Sequence, residues 1–304
     1  MNLLTVGTVA FDNIETPKGK AEKVIGGAAT YISLAASYFI DKVSIVSIIG
    51  GDFPTSELKY MEKKGINLDG LQIEQDGKSF FWGGKYHDNM NKRDTIFTEL
   101  NVLADFKPKV PKASKSAKYL MLGNLTPDDQ LSTIKQMDKR PKLIALDTMN
   151  FWMDTAMKDL KKVIKKVDIL TINDEEARQL SEEYSLVKAA KKIHKMGPKY
   201  LVIKKGEHGA LVFHGDKIFS APALPLAEVN DPTGAGDTFA GGMMGYLAST
   251  NKTGWEQMKT AVIYGSAMAS FCVEDFSVGR LKGLRKSEIN KRVKEFVKLT
   301  NFKL

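Results

Sequence analysis

The residues best placed to do chemistry cluster late in the chain, in "NDPTGAGDTFAGG" (230–242). Gly234, Gly236, Gly241 and Gly242 fall within nine residues, and Asp237 stands directly behind Gly234-Ala235-Gly236. Phe239, Met243, Tyr246 and Leu247 follow at helical spacing, so a helix begins near Gly236 or Asp237. The first N–H groups of a helix lack an internal partner, and the helix dipole adds partial positive charge there. A Gly-Ala-Gly turn leaves those groups uncovered by side chains, which makes an anion cradle suited to phosphate. A plain Asp cap after a Gly-Pro turn would explain one aspartate and one glycine. It would not explain Gly241, Gly242 and Gly245, each costing up to ~1 kcal/mol relative to Ala within a helix. They predict the close approach of another backbone or a ligand.

Other polar residues sit at the ends of apolar runs. Asn173 and Glu176 in "NDEE" have the spacing of a capping box at a helix start. Asp12, followed by Asn13, reads as a turn after a strand. Gly206 and Gly209, just beyond Lys204, suit a tight turn.

The elements that must position these groups alternate. The sequence predicts strands at 3–11, 43–50, 119–124, 142–147, 168–173 and 200–206, with helices at 28–39 and 55–65 among those between. Continuous apolar runs such as "VSIVSIIG" suit parallel strands buried on both faces. The alternation predicts a doubly wound, mostly parallel sheet flanked by helices. Residues 70–100 break the rhythm with β-like pieces and no helix. "QDGK" (75–78) carries an Asp-Gly hairpin signal, so an antiparallel lid or an extra edge hairpin is expected there.

The signature is neither a Walker A loop, since no Gly-Lys-Ser/Thr follows, nor G-x-G-x-x-G, since Phe239 takes the third glycine's place. It resembles the Asp-x-Thr-Gly-Ala-Gly-Asp signature of the ribokinase-like (PfkB) family of sugar and nucleoside kinases, intact from Asp231 to Asp237. "VGTVAFD" (6–12), "GGAATY" (26–31), "IGGD" (49–52), "KKGINLDGL" (63–71), "ALDTMNFW" (145–152), "NDEE" and "IKKGEHGALVF" (203–213) match further family segments in order. The resemblance implies one ribokinase-like α/β domain over 1–304, with a small β-sheet lid from about 13–24 and 70–104. It also implies an ATP-dependent kinase for a sugar, nucleoside or inositol. Gly234, Ala235, Gly236 and Asp237 would form the anion hole, with Asp237 as general base. Asp12, Gly26, Gly27 and Tyr31 would face the substrate. Lys204, Gly206, Gly209, Thr233, Gly236 and Asn173 would face the nucleotide. Asn173 and Glu176 would hold Mg²⁺, largely through water. Many family members also bind K⁺ beside the cradle, near a segment matching 274–280, and pair through their lids as homodimers. A free Asp ionises near pH ~3.9 and a helix N-terminus favours the anion, so Asp237 is expected to be a weak base.

Two positions depart from the pattern. The family's sugar-contacting Asn aligns with Tyr31, which is either a core residue of the stripe Tyr31, Leu34, Ala35, Tyr38 and Phe39 or a ring stacked on the substrate. Asn230 stands where the family tends to be apolar.

The bulk numbers bound the rest. The chain has 304 residues, 43% of them hydrophobic, enough for a sizeable core. Its net charge of +9 lies on helix faces such as 158–168 and 286–299, with no basic run interleaved with aromatics, so a nucleic-acid partner is not expected. No apolar run is long enough to span a bilayer. A lone Cys272 permits no internal disulfide, and "MNLLTVGTVAFDN" reads as a first strand and not a leader, so a cytoplasmic location is expected. The four histidines lack metal-ligand spacing, although His87 falls in the expected lid. A dinucleotide-dependent oxidoreductase lacks its glycine fingerprint after the first strand. A catalytically silent sensor would have no need of Asp237.

Overall fold

A computed structural model describes residues 2–301. The chain opens with β1 (Leu3–Val6), β2 (Ala10–Thr16), β3 (Gly19–Gly26) and α1 (Ala28–Ala36). It continues through β4 (Val43–Gly50), α2 (Thr55–Lys63), β5 (Ile66–Glu74), β6 (Phe81–Tyr86) and β7 (Arg93–Glu99). Next come β8 (Tyr119–Leu122), α3 (Pro127–Gln136), β9 (Leu143–Asp147), α4 (Asn150–Thr155) and α5 (Met157–Ile164). Then follow β10 (Ile169–Asn173), α6 (Asp174–Ser181), α7 (Leu186–His194), β11 (Tyr200–Lys204), β12 (Ala210–His214) and β13 (Lys217–Ala221). Four helices close the chain: α8 (Ala235–Thr250), α9 (Trp255–Cys272), α10 (Gly279–Lys282) and α11 (Lys286–Thr300).

Nine strands form one sheet in the order β13-β12-β11-β10-β9-β8-β1-β4-β5. All neighbours from β11 to β5 run parallel, and β12 and β13 add antiparallel edges. Successive side chains on a strand point to opposite faces. Leu3, Ile45, Tyr119 and Met121 therefore pack on one side with Ala35, Met243 and Phe271 of α1, α8 and α9. Leu4, Val46, Leu120 and Leu122 pack on the other with Leu160, Ala177 and Ile193 of α5, α6 and α7. Both faces are apolar because both are covered, which is why these strands show no alternation.

The second sheet has four strands in the order β3-β2-β6-β7. The segment read as a single strand over 3–11 is split between the two sheets. β1 ends at Val6 in the large sheet and β2 begins at Ala10 in the small one. The bend between them is held where the Val9 N–H donates to Ser47 Oγ at 3.0 Å. Both sheets bury this stretch, so its hydropathy carries no sign of the change. The Asp-Gly turn at 75–78 likewise joins β5 of the large sheet to β6 of the small one, so it closes no hairpin. The small sheet draws on 10–26 and 81–99, and residues 70–74 belong to β5.

β1 lies inside the large sheet, with the chain running to β4 and β5 on one side and to β8 onward on the other. Ligands of open α/β sheets collect outside the carboxyl ends of strands at such a switch. Asp147, Asn173 and Lys204 are the last residues of β9, β10 and β11.

Candidate active site

The cradle forms at the start of α8. Gly234 caps the helix with φ 73, in the left-handed region where a side chain is strained. A Cβ there would also collide with the ring of Tyr31. The Ala235 N–H donates back to Pro232 O at 3.2 Å, which removes it from the set expected to hold an anion. The N–H groups of Gly236 and Asp237 have no main-chain acceptor among the described residues. They are the free pair. The absent side chain of Gly236 leaves room for Lys204, whose Nζ lies 3.0 Å from where a Cβ would sit.

The later glycines of α8 are explained by close approach: Gly242 meets the Met268 side chain of α9, and Gly241 and Gly245 meet the backbone of α1. A Cβ on Gly241 would strike Ile32 O of α1, and one on Gly245 would lie 2.9 Å from Ala36 Cα. α8 thus lies flush against α1, and the glycine cost is offset by this packing.

Lys204 Nζ pairs with Asp147 Oδ2 at 3.2 Å, with the two side chains only 18% and 10% exposed. Glu176 closes a capping box with Asn173: its Oε2 accepts the Asn173 N–H and its own N–H donates to Asn173 Oδ1, both at 2.7 Å. Burial pushes the Glu176 carboxyl up to about 7 against the pull of Lys204. Burial, then the charge of Asp147, pushes Asp237 up to about 7, and Lys204 and Arg93 oppose this. The weak base expected from the helix N-terminus is therefore corrected: desolvation outweighs the dipole. When ionised, Asp147, Glu176 and Asp237 outnumber the two cations that act on the site, Lys204 and Arg93. A cation fits that excess. No three acidic, His or Cys side chains among the described residues converge as a metal cage. The set fits an ion that keeps its waters, as Mg²⁺ does.

Asp12 belongs to β2 and lies against Gly26, where a Cβ would run into its carboxylate. Burial pushes its pKa up to about 8, the charges of Asp231 and Asp237 add to this, and Arg93 opposes it. Asp12 thus senses the charge of Asp237, 225 positions away in sequence. Gly27 caps α1 at φ 93. Tyr31 is 1% exposed, which leaves no ring face for a substrate. It is the floor beneath Gly234, and its hydroxyl has no hydrogen-bond partner among the described residues. Gly206 and Gly209 shape the turn between antiparallel β11 and β12, and Asn91 of the small sheet's tip packs on Gly206. Thr233 Oγ1 donates to Tyr86 Oη at 3.1 Å. His87 lies at the surface, 2.9 Å from Asp94.

The sequence reading missed Arg93 and gave no role to Asp147 or Tyr86. Arg93 opens β7, its guanidinium 5.5 Å from the Trp82 ring centroid, and its charge favours the ionised forms of Asp12, Glu176 and Asp237 together. No local pattern around it signals this. The small sheet alone brings it over the cleft. Asp147 was detectable as a polar residue ending an apolar run, as Asn173 and Lys204 are.

Comparison with known proteins agrees with this fold. A model of the pfkB family carbohydrate kinases matches residues 2–282. The chain is 29% identical over 250 residues to a cytidine kinase from Thermococcus kodakarensis, covering 80% of this chain and 87% of that one. It is 28% identical over 303 residues to a nucleoside kinase from Methanothermobacter thermautotrophicus, covering 90% of each. A crystal structure of a candidate ribokinase II from E. coli, in complex with ATP and Mg²⁺, superposes with a TM-score of 0.78 at 17% identity, covering 97% of this chain and 99% of that one. The chain belongs to the pfkB family of carbohydrate kinases, and it is an ATP-dependent phosphotransferase that acts on an alcohol group of a sugar or nucleoside.

Proposed function

We propose that this kinase phosphorylates a nucleoside hydroxyl, with Asp237 as the base and the Gly236 and Asp237 amides as the anion hole. The observation that carries the catalytic reading is the placement of Asp237. Its carboxylate is half-buried at a helix start, beside two free amides and one ammonium. The acceptor reading draws on the two relatives above.

In this reading Asp12 accepts a hydrogen bond from the acceptor and orients its hydroxyl. Asp237 takes the proton of that hydroxyl as its oxygen bonds to the γ-phosphorus and the bond to the ADP oxygen breaks. The Gly236 and Asp237 amides and Lys204 meet the charge on the transferring group. Such chemistry asks mainly for positioning and neutralisation. Asn173 and Glu176 would hold the Mg²⁺, which supplies charge neutralisation on the phosphates. The small sheet acts as a lid that excludes water as a rival acceptor. A K⁺ ion beside the cradle, a homodimer through the small sheet and a cytoplasmic location belong to the same proposal. Potassium titration of the rate, sedimentation and cell fractionation test those three.

The deciding experiment is a panel of acceptors, with cytidine, adenosine and other nucleosides against ribose, fructose and inositol, read as ADP release. Cytidine or another nucleoside should give the highest kcat/KM. A free sugar or inositol leading the panel by about tenfold or more would refute the nucleoside reading.

A further inference from the structure

We propose that Thr16 and Asn230 form a positioning link through which the small sheet sets the geometry of the phosphate cradle. The proposal rests on the reading of Gly236 and Asp237 as the nucleotide's anion hole. Three strands of the small sheet end on the loops that flank this hole. Thr16, the last residue of β2, donates its hydroxyl to Asn230 O at 2.9 Å. Tyr86, the last of β6, accepts from Thr233 Oγ1. Ile25 of β3 accepts from Ser277 Oγ.

Asn230 is the hub. Its N–H donates to Val273 O at 2.8 Å and its Nδ2 to Glu274 O at 2.7 Å. The amide side chain therefore fixes the very peptide whose carbonyl receives Thr16. An apolar residue there could not. Asp231 continues the bracing, with Oδ1 accepting the Thr233 N–H at 2.8 Å and Oδ2 the Ser277 N–H at 2.9 Å. On the far side Glu274 is gripped by Arg280 at 3.0 Å and Arg292 at 2.6 Å, and Arg292 stacks on Phe271 at 3.6 Å. The loop is thus anchored to α9 and α11 and tied to the sheet that carries Asp12. β2 bears both Asp12 and Thr16, both buried. A shift of β2 around the acceptor is passed to residue 230 and so to the turn four residues on.

The test measures binding of Mg²⁺·AMPPNP by calorimetry, alongside Tm. Thr16→Val removes the donor at nearly constant volume, and Asn230→Ala frees the receiving peptide. Each should weaken nucleotide binding by about threefold to tenfold, as loss of one net hydrogen bond implies. Tm should move by no more than a few degrees. Thr16→Ser should restore the affinity. The double variant should be no weaker than the poorer single, because both break one link. Wild-type affinity in both single variants overturns the proposal. So does a loss that Thr16→Ser fails to restore, or a double variant whose losses multiply. Failure of the wild type to use any nucleoside would strike the acceptor reading and leave this comparison standing.

Discussion

The two sides of the cleft are built by different means. On the side proposed for the nucleotide, Asp147, Asn173 and Lys204 end three adjacent parallel strands, and Asp237 lies in the first turn of α8. Their spacing follows from the sheet itself, since neighbouring strands lie ~5 Å apart. On the side proposed for the acceptor, Asp12 and Arg93 sit in a separate four-stranded sheet, and their partners are brought by long-range contacts. The first side can hold the charge that every phosphoryl transfer shares. The second can vary without disturbing it, which suits a family whose members share a reaction and differ in acceptor.

Substitutions on each side should separate the two. Asp237→Asn should have the largest effect, lowering kcat by about 10³-fold with Mg²⁺·AMPPNP affinity nearly unchanged, since the amides remain. A near-normal kcat would remove Asp237 from the base role. Gly26→Ala places a Cβ in the Asp12 carboxylate. The acceptor KM should rise by about tenfold while the KM for ATP stays put. Parallel rises in both would dissolve the division of the cleft.

Glu176→Gln keeps a capping-box residue at its helix position, so Tm should hold. The Mg²⁺ concentration giving half-maximal rate should rise severalfold, and an unchanged titration would leave Glu176 as a cap alone.

The pH dependence follows from burial. Asp12 faces Asp231, Asp237 and Arg93, and Asp237 faces Asp147, Lys204 and Arg93, with pKa values near 8 and 7. Both are raised above the unfolded values near 3.8. The folded protein therefore holds protons that the unfolded chain releases, and stability falls as pH rises from about 4 to about 8. The Tm of the unliganded protein should drop over this window, and Asp237→Asn should flatten the slope and melt higher than wild type at pH 8. An equal slope in the variant would contradict it.

The smallest effect should come from Tyr31→Phe. Its hydroxyl is buried without a partner among the described residues, so kcat and both KM values should stay within about twofold and Tm should not fall. A selective loss of acceptor binding would return Tyr31 to the pocket.

The cradle side was largely legible in the sequence because its code is local. Gly234 to Asp237 span one turn, and Asn173 with Glu176 span another. Helix capping and glycine conformation act over a few residues, so spacing alone exposed them. The doubly wound sheet was legible for the same reason: runs buried on both faces are apolar throughout. What the sequence did not reveal was the break at Gly7 to Val9, where one apolar run leaves the large sheet for the small one. Nor did it reveal Arg93 over the cleft, the raised pKa of Asp237, or Asn230 as a hub. Each depends on which distant backbone lies alongside and on how much water the assembled cleft excludes. The chain by itself determined the glycine turn and the capping box proposed to hold phosphate. Tertiary structure decided how the acceptor side is assembled around them, because desolvation and contacts between residues hundreds of positions apart have no local signature.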